Sequence, residues 1–332
     1  MYDIVIVGAG PSGTSCAFEL ERKEIEYVIL DKESFPRKKS CAGLLPPRVF
    51  SLLSLPMEII ERRIKGYRLF SEEISVETEF TKLGGIVKRE KFDSWLLSKC
   101  NTVLIKANVV KVNPHKDFVE IETNNNKIIG RICVGADGAN SVVRGSKAEG
   151  IGIQYIISMP KKNIDERIGD WFEVYYFFDN AYGWIAPLKN EIKVGVGGIS
   201  FELRKAPVKF LRKFLSSQIV FDKIAGGKIE RIEGASIPIK GPFENIAKRR
   251  CLLIGDAGGF VFPGTGEGIY YAIKSGRICA DAIFKSKNFM ELKKNYVKML
   301  NNEGLESLRK VPYTISKKNA NEYLKGIKKL KL

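Results

Sequence analysis

A glycine-rich turn near the N-terminus constrains the fold of this chain more than any other feature. The sequence Gly8-Ala9-Gly10-Pro11-Ser12-Gly13 follows an apolar run at residues 2–7 and precedes a predicted helix at about 11–23. A second apolar run, at 26–31, ends in Asp31. This strand–turn–helix–strand order, with three spaced glycines and a later acidic residue, is typical of a Rossmann-type βαβ unit that binds a dinucleotide.

Each glycine of the turn has a physical role in that interpretation. Gly8 permits the tight turn, Gly10 lets the backbone approach a pyrophosphate, and Gly13 lets the helix pack closely on the sheet. The helix N-terminus offers N–H groups and a partial positive charge to the phosphates. Asp31 is expected to accept hydrogen bonds from the adenosine ribose, with Lys32 beside it. The alternative is a glycine turn that binds nothing.

Two later motifs also follow buried strands. Residues 129–138 end in Gly135-Ala136-Asp137-Gly138, which is either a cofactor contact through Asp137 or an ordinary turn. Asp256 follows the apolar run at 251–254, and the glycines of 263–268 precede a predicted helix at about 267–285. An aspartate after a buried strand can bind the ribityl chain of a flavin. The dipole of the following helix would stabilise negative charge on the reduced flavin ring.

Composition limits the classes of partner. The net charge of +17 indicates either attraction to anionic partners, such as lipid headgroups or an acidic redox protein, or a lysine-rich solvated surface. No pattern for nucleic-acid binding accompanies the charge. The six cysteines lack CxxC spacing, which predicts reduced thiols and no metal site. No apolar run is long enough to span a membrane and no signal peptide is evident, so we expect a cytoplasmic protein.

The strand and helix patterns predict an α/β protein with a discontinuous first domain. We assign residues 1–65, 88–150 and 245–288 to a Rossmann-type FAD-binding domain. Residues 66–87 and 151–244, which are mostly strand-like with one helix at about 205–217, are assigned to an inserted antiparallel β-sheet domain that binds substrate. Residues 289–332 are predicted to form a basic helical C-terminal tail.

The three glycine motifs, in this order, resemble the FAD-binding pattern of the p-hydroxybenzoate-hydroxylase-like flavoproteins. That resemblance implies that Arg89 lies near the pyrophosphate and that the backbone at Val109 flanks the adenine. Two further segments resemble those of the geranylgeranyl reductases. Residues 35–43, which contain Cys41-Ala42-Gly43, resemble their Cys-Gly loop, and residues 182–187 resemble their Tyr-x-Trp-x-Phe-Pro motif. The chain departs from that family at Ala42 and Ala186.

The resemblance implies an FAD-dependent reductase that saturates isolated C=C bonds of prenyl chains in membrane lipid biosynthesis. Cys41, in a basic loop that would favour its thiolate, is the candidate catalytic residue near the flavin, with Tyr182 and Trp184 as candidates on the substrate sheet. Phe177 is expected to join these two rings in an aromatic wall that excludes water. Glu267 is a weaker candidate acid. The predicted FAD contacts are Gly8, Gly10, Pro11, Ser12, Gly13, Asp31, Lys32, Cys41, Ala42, Gly43, Arg89, Val109, Asp137, Asp256, Gly266, Gly268 and Ile269.

Other residues bear on partners. No second GxGxxG is present, which favours an external electron donor, either ferredoxin or NAD(P)H. Tyr323, Ile327 and Leu330 have helical spacing among lysines. This indicates either a helix on a membrane surface, which would make the protein peripheral on the inner face of the membrane, or a packed terminal helix or a frayed basic tail. His115, the single histidine, is predicted to lie on the surface, so no histidine-based acid–base scheme is available.

Three other functions remain open from the sequence. An aromatic monooxygenase of the p-hydroxybenzoate hydroxylase type would consume NAD(P)H and hydroxylate its substrate with oxygen. A flavin-dependent halogenase is less favoured, because the first Trp of the Trp-x-Trp-x-Ile-Pro motif is replaced by Tyr182. A non-catalytic electron carrier would bind FAD without reoxidation that depends on a substrate.

Overall fold

The structure, a computed structural model, describes residues 1–101, 104–311 and 317–329. Within these residues the strands form two sheets of eight strands each. The strands are, in chain order, β1 (Tyr2–Val7), β2 (Tyr27–Asp31), β3 (Leu44–Leu45), β4 (Ile60–Phe70), β5 (Ser75–Val87), β6 (Leu104–Lys106), β7 (Val109–Pro114), β8 (Val119–Thr123), β9 (Lys127–Gly135), β10 (Gly150–Ser158), β11 (Trp171–Phe178), β12 (Ala181–Pro187), β13 (Glu191–Gly198), β14 (Lys228–Ile237), β15 (Ala247–Lys248) and β16 (Cys251–Leu253).

The helices lie between and after these strands. In chain order they are α1 (Pro11–Glu21), α2 (Pro47–Phe50), α3 (Arg89–Leu97), α4 (Lys161–Arg167), α5 (Phe201–Lys205), α6 (Pro207–Leu215), α7 (Gln218–Ile224), α8 (Gly255–Gly258), α9 (Ile269–Phe284), α10 (Phe289–Asn302) and α11 (Lys317–Lys329), with short 3-10 turns at Met57–Ile59 and Glu306–Lys310.

The first sheet has a parallel centre. Its order is β15-β16-β9-β1-β2-β6, and the β7–β8 hairpin joins it through β9. β1 pairs in parallel with β2 and β9, so Ile6 lies between Ile29 and Val134. A parallel strand that is covered on both faces has a continuous apolar sequence, as residues 4–7 of β1 do. Helices α1 and α9 pack against each other and share one apolar core with this sheet. The Rossmann-type α/β fold predicted from the glycine turn is confirmed.

The second sheet is antiparallel except for one parallel pair, β4 with β11. Its order is β14-β10-β13-β12-β11-β4-β5-β3. On one face, Tyr175 packs with Phe210 and Phe214 of α6, whose apolar stripe covers the sheet. The opposite face carries Phe172 and Trp184. The two faces therefore have different neighbours: α6 covers one, and the first sheet's turns together with α11 cover the other.

Several element boundaries differ from the sequence prediction. The segment 66–87, predicted as part of the second domain, belongs to two long strands, β4 and β5, and β4 begins at Ile60, before the predicted start of that domain at residue 66. β10 and α4 were not predicted. The helix predicted at about 205–217 is α6, and the short helices α5 and α7 lie on either side of it. Pro207 separates α5 from α6, because it has no N–H to continue α5 and instead occupies the first turn of α6.

The C-terminal helix packs on the second sheet. Ala320 and Leu324 of α11 are fully buried there, and Ile327 packs beside them. This part of α11 thus packs against protein, whereas Tyr323 of the predicted stripe remains 44% exposed. Leu330 lies outside the described residues. In the described part of the chain, no helix is both long and apolar enough to cross a bilayer.

Candidate active site

One cavity of about 560 Å³ lies between the turns of the first sheet and the second sheet. Its volume falls in the range of cofactor and small-ligand sites, roughly 300–1,000 Å³. Nearly all the residues predicted for the site border this cavity, although they come from distant parts of the chain. These are Gly8, Gly10, Pro11, Ser12, Asp31, Lys32, Cys41, Ala42, Gly43, Arg89, Val109, Asp137, Tyr182, Trp184, Asp256, Gly266, Gly268 and Ile269.

The first glycine turn has no room for a side chain at Gly8 or Gly13. Gly8 has φ +108°, and a Cβ there would lie 2.3 Å from the carbonyl oxygen of Ala136. Gly13 does not border the cavity; it faces Gly8, where a Cβ would meet the carbonyl oxygen at 1.9 Å. No side chain of the described residues caps α1, whose N-cap is Gly10. The N–H groups of its first turn are therefore available to an anion.

Asp31 is held at the edge of the cavity by backbone donors. Its Oδ2 accepts a hydrogen bond from the N–H of Ala9 at 2.7 Å, and its Oδ1 accepts one from the N–H of Glu33 at 2.9 Å. A carboxylate oxygen has room for a second donor. The carboxylate is therefore oriented and still able to accept from a sugar hydroxyl.

A buried cluster of charges lies beside the glycine turn. Arg89 donates two hydrogen bonds of 2.8 Å to Asp93, and the Nη2 of Arg37 lies 3.0 Å from the same fully buried carboxylate. Arg37 also lies against the turn, because a Cβ on Gly10 would be 3.2 Å from its Nη2. Two guanidinium groups share one carboxylate, which leaves positive charge at the turn. In the sequence, Arg37 stands out only as one basic residue of the loop 35–43 that contains Cys41.

The two late aspartates differ in their partners. Asp137 accepts hydrogen bonds from Ser141 Oγ at 2.5 Å and from the N–H groups of Val142 and Val143. Burial raises its pKa. Its carboxylate thus stabilises the turn, as the ordinary-turn alternative requires. Asp256 lies against the start of α9, since a Cβ on Gly268 would be 3.3 Å from its Oδ1.

The loop that contains Cys41 is held by two donors from the second sheet. The carbonyl oxygen of Cys41 accepts hydrogen bonds from Lys193 Nζ at 3.1 Å and from Gln154 Nε2 at 3.3 Å. Both side chains are buried, and burial lowers the pKa of Lys193. Neither residue was predicted from the sequence. The available signal was a polar side chain in the otherwise apolar interior of each strand, β10 and β13.

Aromatic side chains of the second sheet, here called the aromatic wall, line one side of the cavity. Tyr182 and Trp184 lie on the same face of β12 with ring centroids 5.9 Å apart, and Phe172 and Tyr67 complete the wall. The placement of Phe177 in this wall was wrong. Phe177 contacts Tyr175 and Phe214 on the opposite face, because successive residues of a strand point to opposite sides.

The carboxylate of Glu267 is paired with a cationic side chain. It forms a two-point ion pair with Arg48, at 2.5 Å and 3.1 Å, and burial raises its pKa despite this partner. Arg48 in turn lies over the ring of Tyr270. His115 is exposed and stacks on Phe118, which confirms its predicted place on the surface.

Solved structures share this fold over nearly the whole chain. A geranylgeranyl bacteriochlorophyll reductase-like protein from Thermoplasma acidophilum matches with a TM-score of 0.83 at 19% identity, over 98% of this chain and 90% of that chain. A flavin-dependent brominase matches with a TM-score of 0.75 at 18% identity, over 90% of this chain and 83% of that chain. At these identities the matches establish the fold alone.

The fold and the site define a two-sheet α/β protein with a Rossmann-type glycine turn beside one large cavity. No model of a known protein family matches the chain. A geranylgeranyl diphosphate reductase of Synechocystis is 30% identical, over 86% of this chain and 76% of that protein. The chain belongs to the geranylgeranyl reductase family.

Other relatives cover similar shares of the chain. A chloroplastic geranylgeranyl diphosphate reductase of Oryza sativa is 30% identical over 84% of this chain, which spans 66% of that protein. A digeranylgeranylglycerophospholipid reductase of Methanocaldococcus jannaschii is 25% identical over 86% of this chain and 78% of that protein. The chain thus spans between about two thirds and four fifths of these relatives.

Proposed function

We propose that this chain is an FAD-dependent reductase that saturates isolated C=C bonds of prenyl chains, the geranylgeranyl chain among them, in membrane lipid biosynthesis. The observation that carries the proposal is the continuity of one cavity from the glycine turn and Asp31 to the aromatic wall of Tyr182 and Trp184. One end suits a dinucleotide and the other suits an apolar chain. The names of the relatives, which are prenyl reductases, support the same substrate class.

The donor set of the cavity fits FAD. Asp31 would hold the adenosine ribose, and the start of α1 with Arg37 and Arg89 would hold the phosphates. Gly266 and the uncapped start of α9 would face the flavin ring. When bound, FAD supplies the hydride that one alkene carbon accepts, while the other carbon takes a proton. An external donor, ferredoxin or NAD(P)H, supplies the electrons, and the net charge of +17 favours an acidic partner.

Side chains of the second sheet provide apolar surroundings for the alkene. Tyr182, Trp184 and Phe172 exclude water and pack against the prenyl chain, so the reacting carbons lie in apolar surroundings. Burial raises the pKa of Tyr182, which keeps its phenol neutral. Lys193 and Gln154 fix the backbone of Cys41, whose thiol either contacts the flavin or donates a proton.

An anaerobic experiment tests this function. The yellow protein is reduced with dithionite and mixed with geranylgeranyl lipids, and the lipids are analysed by mass spectrometry. The expected result is a gain of two hydrogens for each reduced bond, together with flavin reoxidation that depends on the lipid. A hydroxylated phenol formed in air would instead favour the monooxygenase, and reoxidation without any lipid dependence would favour the electron carrier.

A further inference from the structure

Two buried polar atoms at the aromatic wall lack hydrogen-bond partners among the described residues. They are Oε1 of Gln154, whose side chain belongs to a residue 1% exposed, and Nε1 of Trp184, which is 7% exposed. Both residues border the cavity. A buried polar group without a partner forfeits its hydrogen bonds to water, so native proteins retain few of them. These two atoms therefore point to a ligand group.

Both atoms belong to neighbours of Gly195. Gln154 on β10 and Trp184 on β12 are the register partners of Gly195 on the intervening strand, and direct partners point to the same face of a sheet. The indole occupies the space above this glycine. A Cβ there would lie 2.5 Å from Cε2, the ring carbon that carries Nε1. The N–H edge of Trp184 thus lies over Gly195, on the side of the sheet where Gln154 stands.

The orientation of the Gln154 amide is fixed by its other partners. Nε2 donates to the carbonyl oxygen of Cys41 at 3.3 Å and to Oε2 of Glu233 at 3.0 Å. Exchange of the amide atoms would place Oε1 against two acceptors, which is unfavourable. Gln154 therefore presents an acceptor to the cavity, and the indole of Trp184 presents a donor. A group that satisfies both must itself accept one hydrogen bond and donate another.

We propose that Gln154 and Trp184 form a hydroxyl-binding subsite. An O–H group accepts from Nε1 of Trp184 and donates to Oε1 of Gln154, whereas a hydrocarbon does neither and a fully ionised phosphate cannot donate. Water and an alcohol on the ligand share this chemistry. The inference deepens the proposed function and rests on it for the ligand class: it places a hydroxyl contact at the apolar end of the cavity, close to the loop of Cys41.

Crystallography and ligand binding together test the subsite, and neither requires turnover. The first arm is a high-resolution structure of the FAD-loaded, lipid-free protein. If water is the occupant, an oxygen lies within about 3.2 Å of both atoms, and it is absent from the Trp184→Phe variant. Contact of the flavin ring with either atom overturns the proposal.

The second arm compares dissociation constants of geranylgeraniol and its methyl ether, which cannot donate. If the ligand hydroxyl is the occupant, the wild type prefers the alcohol by about five- to tenfold, and both Trp184→Phe and Gln154→Met lose the preference. Phe172→Leu is the matched control, which should weaken both ligands equally. Flavin colour and melting temperature confirm that each variant folds. Absence of both the oxygen and the alcohol preference overturns the subsite, while a missing reductase activity with either result present overturns only the proposed function.

Discussion

The phenol of Tyr182 lies directly above the backbone of Gly266. A Cβ on Gly266 would be 2.2 Å from the phenol oxygen, and the residue has φ +69°, a conformation that favours glycine. Tyr182 belongs to the second sheet and Gly266 to the turn before α9. The aromatic wall and the turn proposed to hold the flavin therefore meet at this contact.

Substitution of Gly266 by alanine should be costly for two separate reasons. The left-handed backbone conformation costs about 1 kcal/mol, and the clash with Tyr182 adds about 1–3 kcal/mol of lost stability or weaker FAD binding. Chemical denaturation and FAD titration measure both effects. Gly226→Ala is the matched control, since Gly226 has φ +75° and no neighbour within 4 Å of a Cβ. Tyr182→Phe should recover part of the loss in the Gly266→Ala background; equal costs for the two alanine variants would show that the contact is not restrictive.

Arg37 should contribute more to cofactor binding than its neighbour in the loop. Loss of one charge-assisted hydrogen bond to phosphate is worth roughly 1.5–3 kcal/mol, so Arg37→Met should weaken FAD binding by about ten- to a hundredfold. Lys38→Met, at an exposed position in the same loop, should change the dissociation constant by less than about twofold. Fluorescence titration of the apoprotein with FAD measures both. Equal effects of the two variants would show that net charge alone matters.

Lys193 should make the stability of the protein increase with pH. Burial lowers its pKa below the ordinary value of 10.5, so the unfolded chain binds more protons than the folded chain between the two values. The free energy of unfolding then rises with pH through that window, by at most about 1.4 kcal/mol per pH unit. Urea denaturation from neutral to alkaline pH should show this rise in wild type and a smaller one in Lys193→Met.

Lys189→Met provides the control for that titration, because Lys189 is exposed in the turn before β13. Its pH dependence should match the wild type. If the free energy of unfolding of Lys193→Met still rises with pH as in wild type, another group causes the rise and Lys193 does not.

Substitutions on the two faces of β11 should have different effects, one on ligand affinity and the other on the free energy of unfolding. Phe172→Leu alters the cavity wall and should weaken binding of a prenyl alcohol by about two- to tenfold. Phe177→Leu alters the core beneath α6 and should lower the free energy of unfolding by about 1 kcal/mol without changing that affinity. Calorimetric binding and urea denaturation distinguish the two. A binding defect from Phe177→Leu alone would reverse the assignment of the faces.

The first sheet was predictable because its signals are local. The turn at Gly8, the acidic end of β2 at Asp31 and the glycines before α9 each follow an apolar run within a few residues. Such patterns report backbone requirements directly. The family motifs at Cys41 and Tyr182 likewise predicted residues that the structure brings to one cavity.

The second sheet was less predictable because its signals depend on register. In β11 aromatic residues occur on both faces, so the sequence cannot distinguish Phe172 from Phe177 until the strand pairs with β12 and β4. Lys193 and Gln154 reach the carbonyl of Cys41 across more than a hundred residues of chain. Contacts of that separation leave no periodic trace in the sequence.

The indole of Trp184 rests on main chain, since Gly195 and Gly152 present no side chains beneath it. The main chain of paired strands has no rotamers to change. Substitution of neighbouring side chains therefore leaves the surface beneath the indole unchanged. Substitutions at Phe172 or Tyr67 can therefore widen the cavity, while Trp184 keeps its position on the other side. Selectivity for ligand width should be adjustable from one side only.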